Sequence, residues 1–285
     1  MRRTTIISEI GLCHDGSIKI AKRLIDVSAA AGCDFVKFQT RTPEEDVPKD
    51  QWHVQRVPPW GGPAIDYIDY KRKIEFTAEQ YQEIDEHCKD REIQWSSSAW
   101  GVTALKFLSQ FDLPWIKVPS AKLTSDDLVQ ACCQWAKERD KKVILSLGMS
   151  TVDEIEHAVG VCQRVIDVPS QLILLNCNSS YPAKVDELNL SAINYLKKYN
   201  CEIGWSGHEE QLGTSVAAIY LGYSLVERHI TYDRTLTYGD HKSAVSMHGM
   251  FKLVSGIREL EKAYGDGIPK VYDSELPSRK KLRGV

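Results

Sequence analysis

The sequence predicts a single-domain α/β fold, the (β/α)8 TIM barrel. Short β-branched runs alternate with segments of helical periodicity eight times along 285 residues, which matches the size and right-handed rhythm of a closed parallel barrel. Polar residues gather at the C-terminal ends of nearly all the runs; a barrel collects those ends around one mouth, whereas an open sheet concentrates them near one crevice. The doubly wound open sheet is the alternative. A hydrophobic content of 42% is ample for one large core.

The strand candidates in order are TTIISEIG (4–11), DFVKFQT (34–40), IQWSSSA (93–99), WIKVPSA (115–121), KVILSLG (142–148), LILLNCN (172–178), EIGWSGH (202–208) and SLVERHI (224–230). Each is rich in β-branched or aromatic residues. Helical patterns fall at 18–31, 77–90, 102–111, 124–138, 151–166, 188–198, 211–221 and 248–264, several opened by a Ser, Thr or Asp cap, as in STVDEIEHA. The connection 41–76 is too long for a simple loop and rich in Pro, Trp and Tyr, so it is read as a lid over the mouth. Residues 1–265 make the barrel; 266–285 have little periodicity, end in a basic run and read as a solvated tail.

A formal net charge of -3 gives no basic surface for nucleic acid or anionic lipid and points to small-molecule chemistry. The eight cysteines include no CxxC pair and read as reduced, buried thiols. MRRTTIISEIGL breaks its apolar run at Ser8 and Glu9, too early for a signal peptide. No run reaches the roughly 20 apolar residues of a membrane span. These features point to the cytoplasm.

LVERHITYD (225–233) carries Glu227 and His229 two positions apart, hence on one face of a strand. If that face points into the barrel, a carboxylate and an imidazole stand together where water is scarce, at a cost that a metal would relieve. His208 closes the neighbouring seventh strand, so two imidazoles converge on one cation, with Mn, Fe, Zn or Ni suited to them. Asp240, in YGDHKS, is placed to act as a base beside that cation. Taken singly, each histidine reads as structural. Lys37 and Lys117 end strands 2 and 4, and Ser98, Ser120, Ser146 and Ser206 end others. Buried lysines with hydroxyl donors read as a phosphate or carboxylate cradle; pairing with Glu9 or Glu227 is the alternative. No GxGxxG or GxxxxGK[ST] supports a dinucleotide or P-loop site.

The runs SEIGLCHDGS, AGCDFVKFQT, YKRKIEFTAEQY, IKVPSAKLT, VILSLGMSTVDEIE, NCNSSYP, IGWSGHE and ERHITYDRT with GDH resemble the sialic acid synthase family. Its members condense phosphoenolpyruvate with an N-acetylated hexose to give nonulosonic acids and release phosphate. The resemblance spans nearly the whole barrel. It implies a divalent cation, Mn2+ being the expected one, held by His208 and His229, with Glu227 and Asp240 beside a water on the ion. It implies that Lys37, Ser98, Lys117, Ser120, Ser146, Ser179 and Ser206 bind phosphoenolpyruvate, and that Glu9, Gln39 and Tyr181 line the sugar side, Glu9 counting with Glu227 and Asp240 as catalytic. Lys122 stands where the family has a glutamate facing the sugar; a buried lysine wants a counter-charge, which suggests a phosphorylated or otherwise anionic mannosamine-type acceptor, or else pairing with Asp126 or Asp127. Most bacterial members continue into an antifreeze-like domain that crosses a dimer, so a homodimer or a separate module is the expected partner. A metal-dependent hydrolase or aldolase and a non-catalytic sugar-binding barrel are the competing readings.

Overall fold

The computed structural model describes residues 2–236 and 238–284. Eight parallel strands, β1 (Thr5–Gly11), β2 (Phe35–Thr40), β3 (Gln94–Ala99), β4 (Trp115–Val118), β5 (Lys142–Ser146), β6 (Leu172–Cys177), β7 (Glu202–Gly207) and β8 (Leu225–Thr231), pair in sequence order. The barrel closes where β1 pairs with β8, Glu9 standing opposite His229. Seven regular helices, α1 (Ile18–Ala31), α2 (Ala78–Asp90), α3 (Val102–Leu108), α4 (Asp126–Arg139), α5 (Val152–Gln163), α6 (Gly213–Leu221) and α7 (Met247–Ala263), surround it. Thr77 and Thr151 open α2 and α5 with capping boxes, which satisfies amides at each helix start.

The alternation of side chains splits the strands between two cores. Outward residues such as Ile6, Ile10, Val36, Ile116 and Val226 pack against the helices in the large outer core. Inside, Ile7, Trp115, Ile144, Ile173, Leu175 and Leu225, with Phe35, form a dry plug. Two residues further along the same strands, and so one pleat higher on the same face, come Glu9, Lys37, Lys117, Ser146, Cys177 and Glu227, which line a cavity. The apolar layer is the floor on which the polar layer stands.

Two expected elements differ, and the long connection proves to hold structure of its own. The strand expected over 115–121 ends at Val118, because Pro119 cannot donate to a ladder and Ser120–Lys122 turns into a 3-10 helix. The helix expected over 188–198 is broken into 3-10 turns around one α turn, Ile193–Leu196, with Asn189 and Asn200 in the left-handed region at its two ends. The connection after β2 is ordered: a turn of helix at Pro43–Asp46, a hairpin pairing Gln55–Arg56 with Ile65–Asp66, and a helix at Tyr67–Ile74. Beyond α7, an exposed helix occupies Leu276–Arg283. Among the described residues no helix is long and apolar enough to cross a membrane.

Candidate active site

A cavity of about 260 Å3 opens at the C-terminal ends of the strands. Glu9, Lys37, Gln39, Ser98, Lys117, Ser120, Ser146, Ser179, Tyr181, Ser206, His208, Glu227, His229 and Asp240 all line it. Of the residues singled out from the sequence, only Lys122 does not. Its Nζ lies 3.1 Å from Asp46 of the connection after β2, while Asp126 is taken by His157. Pro119 ends β4 and Ser120–Lys122 form a 3-10 turn, so Lys122 lies past the strand; the expected contact with the sugar, and the alternative pairing with Asp126 or Asp127, give way here to a tie between two loops. Arg41, Trp100, Met149 and Cys177 also line the cavity and were not singled out. Arg41 and Trp100 each stand one residue past the expected end of a strand, at 40 and 99, so counting one position further would have found them. The Arg41 guanidinium lies 3.8 Å from the Trp100 ring centre and donates to Gln39 Oε1 at 2.5 Å.

Four charges share the floor of the cavity, none more than 6% exposed. Lys37 Nζ lies 2.6 Å from Glu9 and 3.7 Å from Glu227, and donates to Ser98 at 2.9 Å. Lys117 Nζ reaches Glu227 at 2.5 Å, and Ser206 donates to the same oxygen at 3.0 Å. The lysines are thus paired with carboxylates, the alternative weighed from the sequence, and the pairing is what makes their burial tolerable. The two carboxylates differ. Burial, reinforced by the charge of Glu227 and opposed by Lys37, raises Glu9 from 4.5 to about 7. Glu227 suffers the same burial, but Lys117 and Lys37 outweigh it and hold the group well below the usual range. One acid is poised near neutrality and the other stays ionised. Ser146 Oγ is buried without a hydrogen-bond partner, and Ser120 and Ser179 share a hydrogen bond at 2.9 Å, so hydroxyls remain to meet an anion.

The imidazoles of His208 and His229 stand with ring centres 5.6 Å apart, and Tyr181 lies 4.2 Å from the first and 5.9 Å from the second. His208 Nδ1 donates to the Asn178 carbonyl, which leaves its Nε2 as the lone-pair nitrogen. Burial, then repulsion from His229, lowers His208 to about 3. Burial also lowers His229, against the pull of Asp240. Both rings are neutral at pH 7, the form that binds a metal. His229 Nδ1 is buried with no hydrogen-bond partner, and Asp240 Oδ2 stands 3.7 Å from it. An orphaned imidazole nitrogen, a second imidazole of fixed tautomer and nearby carboxylates fit a divalent cation. Among the described residues no three His, Cys, Asp or Glu side chains are gathered as a ligand set, so the protein would offer two imidazoles and leave the other positions open.

Gly11 makes this corner possible. It adopts φ +53, and a Cβ there would fall 2.8 Å from Asp240 Oδ2 and 2.9 Å from the His229 ring. The backbone turns left-handed at the end of β1 and passes directly beneath the pair. The next amide, Leu12 N, donates to Asp240 at 3.2 Å.

Comparison with known proteins gives the family and the fold. N,N'-diacetyllegionaminic acid synthase of Campylobacter jejuni is 30% identical over 276 residues, 96% of this chain and 81% of its own. Human N-acetylneuraminate-9-phosphate synthase is 29% identical over 97% of this chain and 76% of its own. Among solved structures, the N-acetylneuraminic acid (sialic acid) synthetase of Leptospira borgpetersenii in complex with citrate superposes with a TM-score of 0.82 at 29% identity, covering 99% of this chain and 93% of that one. The pattern of the NeuB family matches residues 24–269, so nearly the whole barrel is accounted for and the chain belongs to the NeuB family.

Proposed function

We propose that the protein condenses phosphoenolpyruvate with an N-acetylated, mannosamine-type hexose in its open-chain form, giving a nonulosonic acid and inorganic phosphate. The observation that carries this reading is the meeting, in one cavity, of two neutral imidazoles with two lysines and a ring of serines. Lys37, Lys117, Ser98, Ser120, Ser146, Ser179 and Ser206 hold the carboxylate and phosphate of phosphoenolpyruvate, and a dianionic ligand would draw the lysines from Glu9 and Glu227. His208 and His229 hold a divalent cation, Mn2+ by preference, which when bound supplies Lewis-acid polarisation of the acceptor carbonyl.

In the reaction C3 of the enol ether bonds to the aldehyde carbon, water adds at C2, and the C2–O bond to phosphate breaks to leave a ketone. Glu9, titrating near neutrality, delivers the proton that the aldehyde oxygen gains and can recover one from the incoming water. Glu227 remains ionised and orders Lys117 and Ser206 through its Oε1. Asp240, held by Leu12 N, stands 3.7 Å from the unpartnered His229 Nδ1 and can accept a proton on its other oxygen. Gln39 fixes Glu9 on the acceptor side, where Tyr181 stands at the rim, 41% exposed. That side is the open one, and a homodimer partner or a separate module would close it. The eight free cysteines are in keeping with a reducing cytoplasm.

The acceptor is tested among plain, 6-phosphorylated and diacetamido hexoses by following phosphate release and product mass. The reading requires release only when phosphoenolpyruvate, one of these sugars and Mn2+ are present together. Release without a sugar would make the protein a hydrolase instead, and a cavity that binds sugar but never consumes phosphoenolpyruvate would make it a binding barrel.

A further inference from the structure

Behind the two imidazoles, on the opposite face of the same strands, lies an ion pair between Arg228 and Glu209 whose side chains are both 0% exposed. Arg228 sits between Glu227 and His229 on β8 but points outward; Glu209 directly follows His208. Arg228 Nη1 donates to Glu209 Oε1 at 3.0 Å, to Ser215 Oγ at 2.8 Å and to the Gln211 carbonyl at 3.1 Å, and Nη2 donates to the Glu209 carbonyl. Glu209 also accepts from Thr214 and Ser215, at the start of α6. In the β7–β8 ladder Arg228 stands opposite Gly207, where a Cβ would lie 2.9 Å from Arg228 Cδ and 2.7 Å from Glu209 Oε2; only glycine lets the arginine cross to its partner.

Stability alone is a poor reason for such a pair. Desolvating two charges offsets their attraction, apolar residues of similar volume hold a core as well or better, and here Arg228 Nε and Glu209 Oε2 are buried without hydrogen-bond partners. What the pair does provide is geometry. It ties the residue after one imidazole to the residue before the other, across the edge where β7 becomes a loop. The His208 carbonyl, bonded by Ala183 N at 3.0 Å, and its ring, bonded to Asn178, are the only other ties on that residue among the described hydrogen bonds.

We infer that Arg228 and Glu209 are positioning residues: a brace on the outer wall of the barrel that sets the spacing of His208 and His229, and with it the affinity for the cation. This rests on the metal reading given above and adds to it a pair that touches neither substrate nor ion. Both lysines and all the cradle serines except Ser206 lie away from β7 and β8, so the brace acts chiefly on metal binding, with Ser206 the one shared contact.

The test is a titration of the purified chain with Mn2+ alone, and separately with phosphoenolpyruvate in the presence of a chelator, for the unaltered protein, Arg228→Lys, Glu209→Gln and the double variant. Far-UV circular dichroism identifies the folded fraction, and the mild substitutions are chosen to keep it high. Either single change should weaken Mn2+ binding tenfold or more, the range typical of residues that orient ligands, with phosphoenolpyruvate affinity held within twofold. The double variant should be no worse than the poorer single one, as expected of two residues acting as a unit. Unchanged Mn2+ affinity in folded variants, or loss of both affinities together, overturns the brace. If the unaltered protein binds no Mn2+, the metal reading itself fails, and the brace falls with it.

Discussion

Single residues divide into those that carry charge and those that leave room for it. Removing one member of the buried quartet leaves its partner short of compensation: Lys117→Met should cost about 3–5 kcal/mol in urea denaturation and abolish turnover, because Glu227 loses its nearest partner and keeps only Lys37 at 3.7 Å. Glu9 has a distinct signature in pH. Its folded pKa is raised from 4.5 to about 7, so its contribution to stability is complete below pH 4.5 and is lost as the pH rises through 7. Unfolding free energy measured from pH 4 to 8 should fall across that window, and Glu9→Gln should flatten the fall; an identical slope in the variant would mean that Glu9 titrates normally. Gly11→Ala places a methyl group against Asp240 and His229 in a left-handed backbone, and should weaken Mn2+ binding and lower kcat while leaving phosphoenolpyruvate affinity near its original value, as calorimetry can read.

At the scale of elements, the period-two pattern of the strands was enough to place the polar layer, because a side chain's face follows from parity once the strand is closed into a barrel. Parity says nothing of Lys122, whose sugar-facing role came from the resemblance alone: Pro119 ends the ladder, and past that point alternation no longer says where a side chain goes. The broken region around Ile193–Leu196 was illegible for a related reason, since its apolar spacing is helical and the interruption lies in two asparagines able to turn left-handed. Arg41 was hidden at the seam between a strand and the long connection. That connection is tied down by its short acidic helix, Pro43–Asp46, through Glu44 to Arg72, Glu45 to Thr103 and Asp46 to Lys122. Lys122 is one quarter exposed, and an asparagine at 46 keeps the side-chain oxygen that accepts from Thr42 N, so losing the charge there costs little. Asp46→Asn should therefore leave the global unfolding midpoint almost unmoved while speeding limited proteolysis within 41–76 several-fold; equal cleavage rates would show that the ties to Glu44 and Glu45 suffice.

For the whole molecule, the barrel brings eight strand ends to one place, and its apolar floor lets charges collect there with little water to screen them. The fold class was legible because rhythm, length and strand-end polarity agree, whereas the pairing of charges across the cavity depends on distances between strands far apart in sequence, such as the 110 residues from Lys117 to Glu227. A cation that binds only the folded chain should stabilise it by about 2.7 kcal/mol at a hundredfold excess over its Kd, an effect that chelation reverses. The most direct measurement of the central claim is anomalous diffraction at the manganese edge from crystals soaked in Mn2+ and phosphoenolpyruvate. A single peak between the His208 and His229 rings, with the phosphoenolpyruvate density against Lys37 and Lys117, is the predicted result; a peak elsewhere, or none at saturating Mn2+, would contradict the account.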